Sequence, residues 1–402
     1  SFRPGYLEKI KISFKISFLL VLFFALFIGM RGGFQKYPIN KSCAYYSKDA
    51  VLNYASVNGF WNLMEILVKP GIRKNPYSYF TQEKAKRIVK EMFEQNCDST
   101  QYILEVQKPN IVMILLESVS AECLLSLGGK EELMSELDSI AKQGMIFTNF
   151  YATGFRTEQG LISLINGFPA QPQTLLRYSF GKIDKLPNLA KILSENSYSS
   201  NYYYSGNLDF ANTGSYLRSS GFIHILGSAN YPWEKTTDWG AYDEELFACH
   251  LKEAEYDAKP FFSIIMTSTN HEPFNADVEK KFKSGSELDG YKNCVAYTDK
   301  CLMEYLKLAK EKPWYKNTLF IITADHAHRY PCRRAANDPE RHHIPLILFG
   351  DVLKPEFCGI INPKVGVQTD LATTLLRQLK IPNTLFTNSK NLLNHCSPEF
   401  AF

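Results

Sequence analysis

The stretch NIVMILLES (residues 110–118) decides the fold. It is a continuous apolar run of strand length, the pattern of a strand buried on both faces of a parallel sheet. FFSIIMTS (261–268), TLFIITAD (318–325) and PLILFG (345–350) read the same way, and SSNYYYSG (199–206) is a fifth, more polar candidate. Helical stretches separate them: MSELDSIAKQG (134–144), LPNLAKILSEN (186–196) and YKNCVAYTDKCLMEYLKLAKEK (291–312). Strands alternating with helices predict a doubly wound, mostly parallel α/β sheet.

Working outward, residues 16–30 read ISFLLVLFFALFIGM, fifteen uncharged residues preceded by Lys9, Lys11 and Lys15 and closed by Arg31. A span needs about 20 residues, reached by adding residues 12–14 and letting Lys15 snorkel. No small-x-small cleavage site follows, only MRGGFQ, and every face is apolar. A transmembrane helix therefore fits better than a signal peptide or a core helix. The basic flank places its N-terminal side in the cytoplasm and the rest of the chain outside. The chain opens at Ser1, so further upstream sequence is expected.

Residues 32–107 read as a helical connector, with AVLNYASVNGFWNLMEILVKP (50–70) as one helix and TQEKAKRIVKEMFEQN (81–96) as another, capped by Thr81. The catalytic domain is expected over 108–390 and a C-terminal tail over 391–402. With 402 residues, 45% hydrophobic and 21% charged, the chain is neither disordered nor, at mean hydropathy −0.21, polytopic as it stands. A net charge of +4 gives no reason to expect nucleic acid. Nine cysteines contain no C-x-x-C pair, which disfavours a zinc ribbon, and their pairing is not readable.

In such a sheet ligands bind beyond the carboxyl ends of the strands. Glu117 follows the first run, Asp325 and His326 follow TLFIITA, Asn270 and His271 follow FFSIIMTST, and His343 precedes PLILFG. Carboxylates and imidazoles at buried strand ends are expensive without a partner. Glu117, Asp325 and His326 therefore point to one divalent cation, Mn²⁺ first, with Mg²⁺ or Zn²⁺ as alternatives. NFYATGFRTEQG (149–160) supplies a nucleophile, because Thr157 opens a helix in a Gly-flanked turn. A helix N-terminus and a nearby metal would both favour its alkoxide, although a threonine there also reads as an ordinary cap.

The ordered motifs LLES, NFYATGFRTEQG, WGAYDEELF, TSTNHEPF, ADHAHR and HHIPLILFG resemble the lipoteichoic-acid-synthase-like branch of the alkaline phosphatase/sulfatase superfamily. They look most like its Gram-negative, phosphoglycerol-transferase-like members. The resemblance covers residues 15–385. It implies Glu117, Asp325, His326 and Thr157 as metal ligands, with Thr157 also the nucleophile that takes up phosphoglycerol. His271 resembles the histidine that contacts the substrate phosphate or assists the leaving group. The implied donor is phosphatidylglycerol, the acceptor a glycan or glycerophosphate polymer, and the place the cytoplasmic (inner) membrane with the catalytic domain outside. The segment at 16–30 would be the last helix of a membrane bundle.

The sequence departs from the Gram-positive enzymes at Ser205, Ala211 and Thr213, where those carry a histidine, a tryptophan and an arginine, so Arg156 or Arg218 is a candidate replacement cation. His343 is kept as a further substrate contact or second-metal ligand; His328 and His342 are given no role. Four rivals share the fold or the location. A sulfatase would need a C/S-x-P-x-R signature, and the near match CSPEF (396–400) ends in Phe400. A zinc phosphoethanolamine transferase would favour a second metal site, and a phosphodiesterase differs only in the final acceptor. A non-catalytic exported binding domain would have lost a ligand.

Overall fold

The computed structural model describes residues 12–34, 38–47, 49–68, 78–95, 97–171, 180–256 and 260–402. The deciding stretch forms β1 (Asn110–Leu116), buried at every position. It pairs in parallel with β5 (Phe261–Met266) and β6 (Thr318–Ala324), themselves buried throughout, which is why none of the three shows polar alternation. β3 (Ser199–Tyr204) joins the far side of β5 and carries the short β4 (His224–Leu226), both parallel. On the other side, β7 (Leu346–Phe349) runs antiparallel to β6 and to β2 (Met145–Tyr151), and β8 (Ile360–Val367) closes the edge parallel to β2. The eight strands lie in the order β4-β3-β5-β1-β6-β7-β2-β8.

The mostly parallel, doubly wound sheet is as expected, with β2, β4 and β8 added. β2 mixes apolar with polar residues, β4 has three residues, and the outer half of β8 is largely exposed, so none presents a buried-strand signature. Two groups of mutually packed helices cover the sheet. One comprises Ser135–Ala141, Asp243–Glu253 and Glu287–Lys310; the other Thr157–Asn166, Leu189–Glu195 and Asp370–Gln378. The longest, Glu287–Lys310, starts at Ser286, whose hydroxyl accepts from Asp289 N at 3.2 Å.

The helix Ile12–Arg31 has mean hydropathy 2.4 and no buried residue, long and apolar enough to cross a membrane. Its upstream lysines, Lys9 and Lys11, lie outside the described residues. The single helix expected over 50–70 is two, Ala50–Ser56 and Gly59–Val68. Val57 is extended between them, and Asn58 Oδ1 accepts from Trp61 N at 3.0 Å, starting the second helix afresh. The other connector helix, Gln82–Met92, is capped by Thr81 as expected and buries none of its residues.

The chain joins the core earlier than residue 108 and leaves it later than 390. Cys97 and Cys396 form a disulfide with Cα atoms 5.7 Å apart. Ile103 and Leu104 are buried, and Thr100 and Leu104 form bridges to Asn394 and Leu353. The stretch expected as a tail is held in place. Leu392 and Leu393 belong to the core, Lys364 Nζ donates to Ser397 O at 2.6 Å, and Lys390 Nζ donates to Phe400 O at 2.6 Å.

Candidate active site

β1 and β6 are neighbours in register, Leu116 opposite Ala324, so the residues that follow them emerge side by side. One ligand atom each of Glu117, Asp325 and His326 lies within 4.8 Å of the others, and all three are buried. His326 Nε2 stands 3.4 Å from Asp325 Oδ2 and 3.7 Å from Glu117 Oε1. The strand ends are tied together as well. Ser118 N and His326 N both donate to Asp325 Oδ1, at 2.9 and 2.8 Å, and Glu117 N donates to Thr267 Oγ1 at 2.9 Å. Ser118 turns the chain at φ 57°, a conformation a non-glycine residue adopts only under such constraint.

Two features ask for a cation. Asp325 Oδ2 is buried with no hydrogen-bond partner. Burial first, and the Asp325 carboxylate second, push the Glu117 carboxyl up to about 8. Two carboxylates and an imidazole beside a hydroxyl are a donor set that fits one divalent ion and relieves both costs.

The hydroxyl is that of Thr157, the first residue of helix Thr157–Asn166. The residue in the capping position is Arg156, whose side chain makes no cap bond, so Thr157 is not the cap. Thr157 Oγ1 instead points at Glu117, 3.4 Å from Oε2. Gly160 makes this approach feasible: a Cβ there would lie 2.0 Å from Asp325 O. The helix therefore rests its first turn on the strand end, aiming its positive pole at the cluster.

Glu117, Thr157, His326 and His271 line one cavity of about 490 Å³. His271 Nδ1 donates to Glu272 O at 2.8 Å, and its ring stacks on Trp239 at 3.8 Å between centroids. Trp239 Nε1 donates to the same carbonyl at 2.7 Å, so ring and partner are fixed as a unit. Arg156 lines the mouth with its side chain 66% exposed and its Nη1 3.7 Å from Glu158 Oε1.

His343 is not brought to this cavity. Its Nε2 donates to Thr148 O at 2.9 Å, its Nδ1 faces Glu340 Oε2 at 3.1 Å, and its ring stacks on Tyr151. Position 343 lies on the segment entering β7 beside β2, where both ring nitrogens find local partners. Arg218 lines a different cleft, with His224 and Glu253. Of the departures, Thr213 reaches the cavity wall, whereas Ser205 is buried against Ala241 O and Ser268.

Sequence reading missed Trp239 and Arg341. Arg341 is half-buried on the cavity wall, donates to Ala327 O and stacks on Phe155 at 5.4 Å. It sits two residues before His343 in a stretch read for its histidines. His328, given no role from sequence, also lines the wall; burial pushes it down to about 4, and Nε2 lies 2.9 Å from Glu272 Oε1.

Fold and site define a domain of the alkaline phosphatase superfamily, a scaffold of metal-dependent phosphotransferases and hydrolases. Residues 109–381 match the sulfatase family model, and the chain belongs to that family. It is 25% identical over 228 residues to the lipoteichoic acid synthase-like YvgJ of Bacillus subtilis, covering 54% of this chain and 36% of that one. It is 28% identical over 242 residues to the lipoteichoic acid synthase of Staphylococcus aureus, covering 56% and 37%. The match thus spans little more than a third of the length of these curated relatives. A protein in the alkaline phosphatase superfamily from Vibrio parahaemolyticus superposes with TM-score 0.68 at 26% identity over 79% of each chain. The lipoteichoic acid synthase LtaP from Listeria monocytogenes, 18% identical, shares the fold at TM-score 0.68 over 78% of this chain and 82% of that one.

Proposed function

We propose that the protein is a membrane-anchored phosphoglycerol transferase of the Gram-negative type, working outside the cytoplasmic membrane on phosphatidylglycerol. Helix Ile12–Arg31 is the anchor, the segment up to Cys97 the connector, and the remainder the catalytic domain. The observation that carries the reading is Thr157 Oγ1 at a helix N-terminus, 3.4 Å from a carboxylate of a buried cluster with an unpartnered Asp325 oxygen. Glu117, Asp325, His326 and Thr157 would hold the divalent cation, Mn²⁺ by preference. When bound, the ion lowers the pKa of the Thr157 hydroxyl and neutralises charge on the phosphodiester oxygens.

Thr157 Oγ, giving up its proton to solvent, attacks the lipid phosphorus in line, and the bond from phosphorus to the diacylglycerol oxygen breaks. His271, positioned by Glu272 O and Trp239, gives that oxygen its proton from Nε2. The helix N-terminus and Arg156 favour the anionic phosphodiester at the mouth. The phosphoglycerol group then passes from Thr157 to an acceptor hydroxyl. Anchoring holds the site at high effective concentration near the headgroups. The commitment of both His343 nitrogens elsewhere counts against the two-metal phosphoethanolamine rival.

The test is release of diacylglycerol from phosphatidylglycerol by the purified protein with Mn²⁺, beside Thr157→Ala. Release requiring both metal and Thr157 supports the reading. No release, with turnover of phosphatidylethanolamine or a sulfate ester, overturns the substrate.

A further inference from the structure

His271 and the metal ligands leave the sheet on different strands. His271 follows β5 and His326 follows β6, with β1 between them. Adjacent strands lie about 4.8 Å apart, so the two loops start roughly 10 Å from one another. β5 and β6 exchange no ladder bonds, and their loops are brought to a common spacing only beyond the strand ends. That spacing matters to an in-line displacement, which puts nucleophile and leaving group on opposite sides of phosphorus. Misplacement by about 1 Å can cost about 10²-fold in rate.

Glu272 spans the gap with both of its oxygen-bearing groups. Its main-chain carbonyl accepts from His271 Nδ1 at 2.8 Å and from Trp239 Nε1 at 2.7 Å. Its carboxylate reaches the other loop, where His328 Nε2 lies 2.9 Å from Oε1 and Arg329 Nη2 lies 3.3 Å from it. The His328 tautomer is fixed, since Tyr330 N donates to Nδ1 at 3.2 Å and leaves the ring proton on Nε2. His328 is therefore the donor and Glu272 the acceptor.

The far end of this bridge is rigid. The His328 ring stacks on Tyr291 at 4.9 Å and meets Phe274 edge-on at 5.5 Å. His328 N donates to Ser120 Oγ at 3.0 Å, and the Tyr291 hydroxyl donates to Ser118 O at 3.0 Å. Ring and main chain are thus both tied to the end of β1. Arg329 is held in turn by Glu287 at 2.7 Å. The Glu272 side chain is 47% exposed, so its place depends on these bonds more than on burial.

We infer that Glu272 is a positioning residue and His328 its anchor, and that together they hold the His271 ring at a set distance from the metal ligands on the His326 loop. Neither transfers a proton in the reaction. The inference rests on the reading of His271 as proton donor to the leaving oxygen. Loss of the bridge frees Glu272 O and with it the orientation of Nδ1, so that Nε2 no longer faces the leaving oxygen in every encounter. The bridge then matters when that oxygen needs a proton, and little when it does not.

The test compares two phosphodiesters on the full chain in detergent with Mn²⁺: phosphatidylglycerol, whose alkoxide leaving group needs a proton, and bis(p-nitrophenyl) phosphate, whose phenolate does not. His328→Ala and Glu272→Ala are expected to lower kcat on the lipid about 10²-fold with KM within about threefold. The loss on the activated ester is expected to be at least about tenfold smaller. Glu272→Gln keeps an acceptor for His328 and is expected to recover most of the loss. Equal losses on both substrates overturn the inference, because a distorted site slows both alike; so does lipid turnover at the wild-type rate in both alanine variants. A second measurement needs no turnover. Nitrogen NMR of isotope-labelled histidines at about pH 8.5, above the ordinary imidazole value, is expected to show His271 as the Nδ1–H tautomer in the wild type and as a mixture in His328→Ala. His271→Ala assigns the signal, and an unchanged tautomer in His328→Ala overturns the bridge. If the wild type releases no diacylglycerol, the donor reading fails, and the tautomer alone decides whether the bridge holds the ring.

Discussion

Helix Thr157–Asn166 and connector helix Gly59–Val68 are each ten residues long and each carry apolar side chains, yet they meet opposite surroundings. In the first, Leu161, Ile162, Leu164 and Ile165 are buried. In the second, Phe60, Trp61, Leu63, Met64 and Leu67 are all exposed, Phe60 at 74%. The contrast teaches that apolar side chains on a helix specify a need for cover without specifying what covers them. The shared core and helices Leu189–Glu195 and Asp370–Gln378 supply the cover in one case, and among the described residues the connector helix leaves these side chains uncovered.

The comparison is broken or sharpened by substitutions on either side. If Thr157 is the nucleophile, as proposed, Thr157→Ala is expected to lower diacylglycerol release by about 10⁴-fold or more, since no other hydroxyl would replace it. Leu392→Ala should cost about 2–5 kcal/mol of stability in chemical denaturation, since its side chain fills the core although it lies in the last twelve residues. A cost below 1 kcal/mol would return that segment to the status of a tail.

Gly160→Ala should destabilise by about 1–3 kcal/mol and weaken Mn²⁺ binding in calorimetry, because the new methyl group drives the Thr157 helix off Asp325 O. The pH response of the core should carry the mark of His250, which is fully buried and pushed down to about 3 by burial. Its folded pKa is depressed, so its contribution is complete above the ordinary value of about 6.5 and is lost as pH falls toward 3. The unfolded chain takes a proton that the folded chain refuses. Between pH 6.5 and 5 this amounts to roughly 1.5 kcal/mol in urea melts, and His250→Phe should flatten the slope. The smallest effect is expected from Leu63→Ala in the connector, below about 0.5 kcal/mol in the same melts.

What was legible in the sequence follows the same division. β1, β5 and β6 announced themselves because a strand buried on both faces needs apolar residues at every position. Glu117, Asp325 and His326 could be placed together because adjacent parallel strands end at the same edge. Arg341 and Trp239 could not, since each arrives on a loop whose path is set by contacts far away in the chain. His343 shows the converse error: a histidine near a strand end found Thr148 O and Glu340 locally instead of the cavity.

By itself, then, the sequence determined the buried central strands, their parallel direction and the ligand-type residues gathered at their carboxyl edge, because these follow from periodicity and strand adjacency. Only the tertiary structure decided that Cys97 meets Cys396 across 299 residues, that Lys364 and Lys390 draw the C-terminal carbonyls into the core, and that Trp239 lines the reaction cavity. Those outcomes depend on which distant surfaces come into contact, and no local pattern of residues encodes that.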